Sequence, residues 1–365
     1  MSKGNAILLK TGSLSRAEIQ RWLTEQDANA LESLWSAADG VRRTVVGDAV
    51  HLRGLIEISN HCARQCGYCG LRRGHQKLTR YRMSREEVVA CARKAWAMGC
   101  GTVVMQSGED YGIKAEDLAE TIRCIKEETL LAVTLSLGER SAEELAIWRD
   151  AGADRYLLRF ETSDPSLFDR IHPPLPGRVS DRIAILRTLG ALGYEVGSGV
   201  MVGIPGQTYE SLANDIALFE EMDLDMIGVG PYIPHPATPM WQEQQALGTR
   251  DDQQVPNTEE MTCKVLALTR LNCPEANLPS TTALATIDVE RGHESGLTCG
   301  ANVVMPNFTP AQYRRLYEIY PAKEGMYETG DCFHTQLVER IQSMGRSLGQ
   351  GQGPRIRRTN QTATR

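Results

Sequence analysis

His51–Ser59 reads HLRGLIEIS, an apolar run with the character of a strand, and it leads directly into Asn60-His61-Cys62-Ala63-Arg64-Gln65-Cys66-Gly67-Tyr68-Cys69-Gly70. Three of the chain's ten cysteines stand in this loop at C-x3-C-x2-C spacing. Three thiolates on one loop can hold three corners of a cubane iron–sulfur cluster, leaving the fourth iron open to a small molecule. The competing reading is a zinc knuckle completed by His61 or His75. Zinc sites usually pair such a loop with a second, distant cysteine pair, and the sequence offers none.

Working outward, strand and helix patterns alternate from His51 onward. Strand-like runs at 51–59, 102–108, 132–138, 155–161, 195–203, 226–232, 277–283 and 301–307 are each followed by a helical pattern or by room for one. Helix starts are marked by Ser84 with Glu87, by Ser141 with Glu144, and by the Ser163-Asp164-Pro165 signature. Eight βα units predict an α/β fold, a (β/α)8 TIM-type barrel, in preference to a doubly wound open sheet. Ahead of it, residues 13–39 have helical spacing with Ser15 as N-cap, and Val41–Ala49 is expected to lead into the barrel. The division expected is a helical cap over 1–50, the barrel over 51–323, and a C-terminal helix and basic tail over 324–365. The tail from Gly345 carries five arginines and no acid, and its end is expected to be disordered.

The bulk numbers narrow the function. A formal net charge of −6 and a pI near 5.8 argue against nucleic acid or an anionic membrane as partner. No run approaches the length of a membrane span, and no secretory signal is evident, so a reducing cytoplasmic location is expected, where clustered cysteines mean metal or catalysis. Cys91, Cys100, Cys124 and Cys263 fall in or beside helical patterns and are read as core thiols. His235 and His293 are read as loop residues.

In a barrel of this kind chemistry collects at the C-terminal strand ends. Those ends carry the cysteine loop, Gln106-Ser107-Gly108-Glu109-Asp110, Thr134 and Ser136, Arg159 and Glu161, Gly203 and Gly206, the glycines before Tyr232, Ser280-Thr281-Thr282, and Met305-Pro306-Asn307. Arg159 and Glu161 share a strand face, either as a buried pair or as two groups aimed at a zwitterionic ligand.

Taken together, HCARQCGYCGLRR, QSGED, VTLSLGE, ADRYLLRFET, MVGIPGQT, IGVGPYIPHPATP, PSTTALATI and GANVVMPN resemble the radical S-adenosylmethionine (SAM) superfamily, and within it the HydE family of FeFe-hydrogenase maturases. The likeness runs from about Val46 to Lys323; biotin synthase and methylornithine synthase share the architecture and the cysteine loop. It implies that Cys62, Cys66 and Cys69 are the catalytic ligands of one 4Fe-4S cluster, and that SAM chelates the open iron. Tyr68 would then contact SAM, and the Gln106–Glu109 segment, Gly108 included, would meet its amino end. Arg182 would meet its carboxylate, and Ser136 and Glu161 its ribose side. Met226 and Tyr317 would line the same pocket. Thr134, Arg159, Thr281, Thr282, Met305 and Tyr320 match positions near substrate. The implied reaction is reductive cleavage of SAM to a 5′-deoxyadenosyl radical that acts on a small cysteine-bound iron complex bearing carbon monoxide and cyanide. Other maturation proteins and an electron donor are the implied partners. A radical SAM amino-acid mutase or biotin-synthase-like enzyme is the nearer rival, and a non-enzymatic cluster carrier the more distant one. One departure stands out: where some relatives carry three further cysteines, this chain has Cys332 alone, so a second cluster is not expected.

Overall fold

Serines 15, 84 and 141 each stand three residues ahead of a glutamate, and each starts a helix with both arms of the capping box formed. The computed structural model describes residues 13–246, 253–288, 291–321 and 330–357. Two helices come first, α1 (Arg16–Thr24) and α2 (Ala28–Val45). Then follow β1 (Ala49–Ser59), α3 (Arg85–Ala97), β2 (Thr102–Ser107), α4 (Ala115–Glu128), β3 (Ala132–Ser136), α5 (Ala142–Asp150) and β4 (Arg155–Leu157). The next stretch holds α6 (Pro165–Ile171), α7 (Arg182–Ala191), β5 (Glu195–Val202), α8 (Tyr209–Glu221), β6 (Met226–Pro231), α9 (Pro239–Ala246) and α10 (Glu259–Asn272). Last are β7 (Pro279–Ser280), α11 (Thr282–Ile287), α12 (Gly292–Thr298), β8 (Val303–Val304), α13 (Ala311–Arg314), α14 (Gly330–Ser343) and β9 (Ser347–Leu348).

The strands pair in parallel in the order β6-β5-β4-β3-β2-β1-β8-β7. The ring is nearly closed by a single bridge, Met226 to Asn277, with Ile227 N donating to Asn277 O at 3.0 Å. This is the expected (β/α)8 barrel. Register stacks the inward side chains of β1, β2 and β3 in layers: Leu55, Val104 and Thr134 form one, and Glu57, Gln106 and Ser136 the next above it. Every second residue of a strand faces the same way, so a fully polar layer crowns one in which Thr134 is the polar member.

Several expectations need correction. The single N-terminal helix is two, broken at 25–27 where Asp27 caps the second, and α2 runs on to Val45 through residues expected to lead into the barrel. The fourth strand stops at Leu157, because Phe160 N donates to the Ser198 hydroxyl instead of to a ladder carbonyl and Glu161 turns to φ +64. Strand seven shrinks to two residues, since Thr281 caps α11 by accepting from Leu284 N. The helical pattern after the eighth strand amounts to only the four residues of α13. His293 lies on α12 and not on a loop.

The tail is ordered over most of its length and closes the base of the barrel, at the N-terminal ends of the strands. β9 pairs with β1 at Ala49 and Val50. Gln352 O accepts from Thr102 Oγ1 at 2.9 Å and Arg155 Nη2 at 3.1 Å. Gly353 O accepts from Arg53 Nη2 and Asn277 Nδ2, both at 3.2 Å. Arg355 pairs with Asp223 at 2.6 Å and with Asp225 and Glu275 at 3.5 Å. A side chain at Gly101 would lie 1.6 Å from Gly351 O, so the tail can cross β2 only above a glycine. Residues 358–365 lie outside the described residues.

Candidate active site

The cysteine loop is held at several points by backbone hydrogen bonds. Ala63 N donates to Glu109 O at 2.9 Å, Gly67 N to Ile171 O at 2.8 Å, and Gly70 N to Ile319 O at 2.8 Å. Arg80 gathers the return of the loop, donating to the carbonyls of Asn60, Leu71 and Arg72. Beneath it, a side chain at Gly108 would lie 2.3 Å from His61 O and 2.8 Å from Cys62 Cβ. Gly108 therefore lets the end of β2 pass directly under the first cysteine.

Behind the loop sits a buried charge network. Arg64 donates to Glu109 and to Glu139, each at 2.6 Å. Glu139 also accepts from Arg182 at 3.0 Å and from the Ser180 hydroxyl at 2.6 Å. Burial alone would push the Glu139 carboxyl up, but hydrogen bonds from His172 and Ser180 and the charges of Arg182 and Arg64 hold it down at about 2. His172 lies 3.0 Å from the Cys66 sulfur, and burial brings its pKa down to about 4. Sequence reading did not find Arg64, Glu139 or His172 as site residues.

Burial pushes all three loop thiols up, Cys69 to about 12; neighbouring sulfurs add to the effect at Cys66 and Cys69, and the Glu109 charge adds to it at Cys62. Thiolates are stable here only beside a compensating positive centre. Among the described residues no three His, Cys, Asp or Glu side chains converge on a single-ion site. Three thiols of one loop that do not meet at a point suit a cluster, whose thiolates hold different irons, better than one tetrahedral zinc. The donor set fits a 4Fe-4S cluster. Cys91, Cys100 and Cys263 are buried and Cys124 half-buried. Gly325 and the side chain of Cys332 lie outside the described residues.

All eighteen residues singled out from the sequence line one cavity of about 340 Å³ in the barrel lumen, with the cysteines at its mouth. They do not all present free polar atoms to it. Glu109 is committed to Arg64, to the Tyr111 hydroxyl and to Glu139 N. Arg182 is spent on Glu139, on Arg159 O and on His172. Both brace the loop in this structure. Met226 begins β6, and its sulfur lies against the Arg53 guanidinium that Gly353 holds, so it contributes to the floor of the cavity, away from the cysteines. Thr281 Oγ1 donates to Val229 O at 3.1 Å and caps α11, whereas Thr282 is the first residue of that helix. Gln106 Nε2 donates to the Tyr317 hydroxyl at 3.2 Å, and Tyr320 bonds to Thr286. Tyr68 packs beside Met201, Ile204 and Tyr232, and Met305 follows β8.

Several unsatisfied buried atoms lie on the lumen wall, where a ligand could reach them. Thr134 Oγ1, Arg159 Nε, Glu57 Oε2 and Glu161 Oε2 are buried without hydrogen-bond partners. The Arg159–Glu161 contact is 3.2 Å but not aligned as a hydrogen bond. Burial pushes the Glu57 carboxyl up to about 7, and pushes Glu161 up against the pull of Arg159 and Arg182. Glu161 also holds a φ of +64, a conformation that costs a non-glycine residue energy and that persists at functional sites. Buried polar atoms left open on a cavity wall suit a site completed by its ligands.

Comparison with known proteins agrees with this chemistry. Residues 56–219 match the family model for the radical SAM superfamily. The [FeFe] hydrogenase maturase subunit HydE of Thermotoga maritima is 43% identical over 349 residues, covering 96% of each chain. The 3-methylornithine synthase of Methanosarcina acetivorans is 27% identical over 80% of this chain and 79% of its own. Among solved structures, methylornithine synthase (PylB) superposes with a TM-score of 0.78 at 24% identity, covering 95% of this chain and 98% of that one, a likeness of fold. No helix among the described residues is long and apolar enough to cross a membrane.

Proposed function

Because the chain belongs to the HydE family of radical SAM enzymes, we propose that it serves FeFe-hydrogenase maturation, using a 5′-deoxyadenosyl radical on a small cysteine-bound iron carbonyl and cyanide precursor of the diiron site. Its cofactors are a 4Fe-4S cluster and SAM. When bound, these supply one-electron cleavage of the SAM sulfonium. Cys62, Cys66 and Cys69 would hold the cluster. The polar layer of Glu57, Gln106 and Ser136, with Glu161, lies on the lumen wall for SAM, while Glu109 and Arg182 stiffen the loop from behind.

The observation that carries the reading is the single lumen, cysteines at its mouth and Arg159, Thr134 and Thr282 along its wall. A closed barrel keeps water from a reactive intermediate. The open Nε of Arg159 and the unpaired hydroxyl of Thr134 suit a substrate carboxylate, through charge-assisted and neutral hydrogen bonds. The test is anaerobic turnover followed by mass spectrometry, with the reconstituted protein, reductant and SAM. One sample contains the cysteine–iron carbonyl cyanide complex and another contains lysine. SAM consumption with an adenosyl–sulfur adduct only in the iron-complex sample is expected, whereas conversion of lysine to a branched isomer would reassign the enzyme to the amino-acid mutases. Arg159→Ala should reduce substrate-dependent SAM cleavage by about tenfold to a hundredfold, the loss of one charge-assisted pair. Unchanged cleavage would remove Arg159 from the substrate site.

A further inference from the structure

The cysteine loop has an outer face as well as a lumenal one. Cys62 lines the lumen and also a separate outer pocket of about 320 Å³, whose walls include His61, Arg73, Arg80 and Tyr111. Five of the pocket's lining residues, His61, Cys62, Ala63, Arg73 and Arg80, come from the segment 60–85, which holds seven arginines and lysines and no carboxylate in a chain whose formal net charge is −6. Some of that charge is used internally. Arg64 pairs with Glu109 and Glu139, Arg82 with Asp110, and Arg80 donates to loop carbonyls. Glu109 and Asp110, which also line the pocket, are therefore already neutralised. Arg73, Lys77 and Arg85 are exposed and form no ion pair with a described residue. Tyr111, which lines the outer pocket with Arg73, is 38% exposed, with the Arg178 guanidinium 4.5 Å from its ring centroid.

We propose that this face docks the protein that delivers the electron to the cluster, a small acidic one-electron carrier. Its negative patch would meet Arg73, Lys77 and Arg85, with Tyr111 as the aromatic anchor and Cys62 as the wall between carrier and cluster. The inference rests on the radical SAM reading above. One electron leaves the reduced carrier, which is oxidised by one, and is consumed as one carbon–sulfur bond of SAM breaks. The cations are spread along an exposed segment on long stems, an arrangement that steers a macromolecule and cannot cradle a small anion. A nucleic acid is the wrong partner for a chain that is acidic overall. Local positive charge on an otherwise negative molecule gives orientation as well as attraction: the acidic carrier is repelled except at the loop that needs it.

The test uses the holoenzyme under anaerobic conditions and, as probe, an acidic bacterial ferredoxin. Binding to wild type should weaken as salt is raised, and the combined Arg73→Glu, Lys77→Glu, Arg85→Glu variant should bind at least about tenfold more weakly at low salt. The variant should cleave SAM at the wild-type rate with dithionite and about tenfold more slowly with reduced ferredoxin. Equal binding by variant and wild type, or binding indifferent to salt, would overturn the docking surface while leaving the enzyme's chemistry intact. Equal losses with dithionite and with ferredoxin would overturn it too, because the residues would then be supporting the cluster. A wild-type protein that cleaves no SAM even with dithionite would instead overturn the function on which the inference rests.

Discussion

The two ends of this barrel find partners for buried charge in different places. At the base, Arg155 reaches Glu195, Thr102 and Gln352, and Asp225 is enclosed by Arg355 and Arg357. At the top, Glu57, Thr134, Arg159 and Glu161 each keep a buried polar atom without a partner. Leaving such an atom unmade costs about 1–3 kcal/mol, so the upper end carries a free-energy deficit that its ligands can relieve. At the base the chain's own tail supplies most of the partners, with single buried atoms of His51, Arg53, Arg346 and Arg355 left over. The contrast teaches that one barrel can draw partners from its own tail at one end and face an open cavity with unpaired groups at the other.

The largest expected effect comes from breaking the top at its mouth. Cys66→Ser should drop iron content and SAM cleavage to the level of protein never given iron, measured by iron analysis and product chromatography. Folding should survive, because the thiol is not part of the main core. Next comes the brace behind the loop: Glu139→Leu leaves the buried Arg182 without its carboxylate partner and Arg64 with Glu109 alone, and should cost about 3–5 kcal/mol in denaturant unfolding. A loss below about 1 kcal/mol would mean that the network is wet and the top is less strained than described.

A pH titration sharpens the same point. The folded Glu139 carboxyl is depressed to about 2, so the unfolded chain takes up its proton first as pH falls. Its stabilisation, about 3 kcal/mol at most, is complete above the ordinary glutamate range and is lost as pH falls from about 4.5 to about 2. In Glu139→Gln that part of the acid limb should be absent from the unfolding curve. The smallest effect belongs to the base. Gly101→Ala should displace the tail at Gly351 and cost about 1–3 kcal/mol, with limited proteolysis now cutting near residue 350, yet SAM cleavage should stay within about twofold of wild type. A loss of cleavage as large as that of a cysteine variant would erase the distinction between the ends.

Much of this was legible in the sequence, and the failures have physical causes. Capping boxes at Ser84 and Ser141 and long apolar strands announce themselves locally, so the βα alternation could be read residue by residue. The cysteine spacing likewise carries its chemistry within eight residues. Strands β7 and β8 could not be bounded, because two residues of ladder leave almost no periodicity to read. The order of the tail was hidden for another reason: Arg355 means little until Asp223, Asp225 and Glu275, more than 75 residues earlier in sequence, are brought beneath it. His172 is the same case at the top, 106 residues from the sulfur it touches, on the cap of a short helix with no spacing signal of its own.

The pairing of β9 with β1 also has a consequence for biosynthesis. β1 is among the first elements to leave the ribosome, yet its partners on one side, β8 and β9, follow some 250 and 300 residues later. Throughout that interval an eleven-residue apolar strand has one edge open to other nascent chains. The closing strand therefore decides how long the growing polypeptide must be shielded, and expression at low temperature or with a holdase chaperone should raise the yield of monomer.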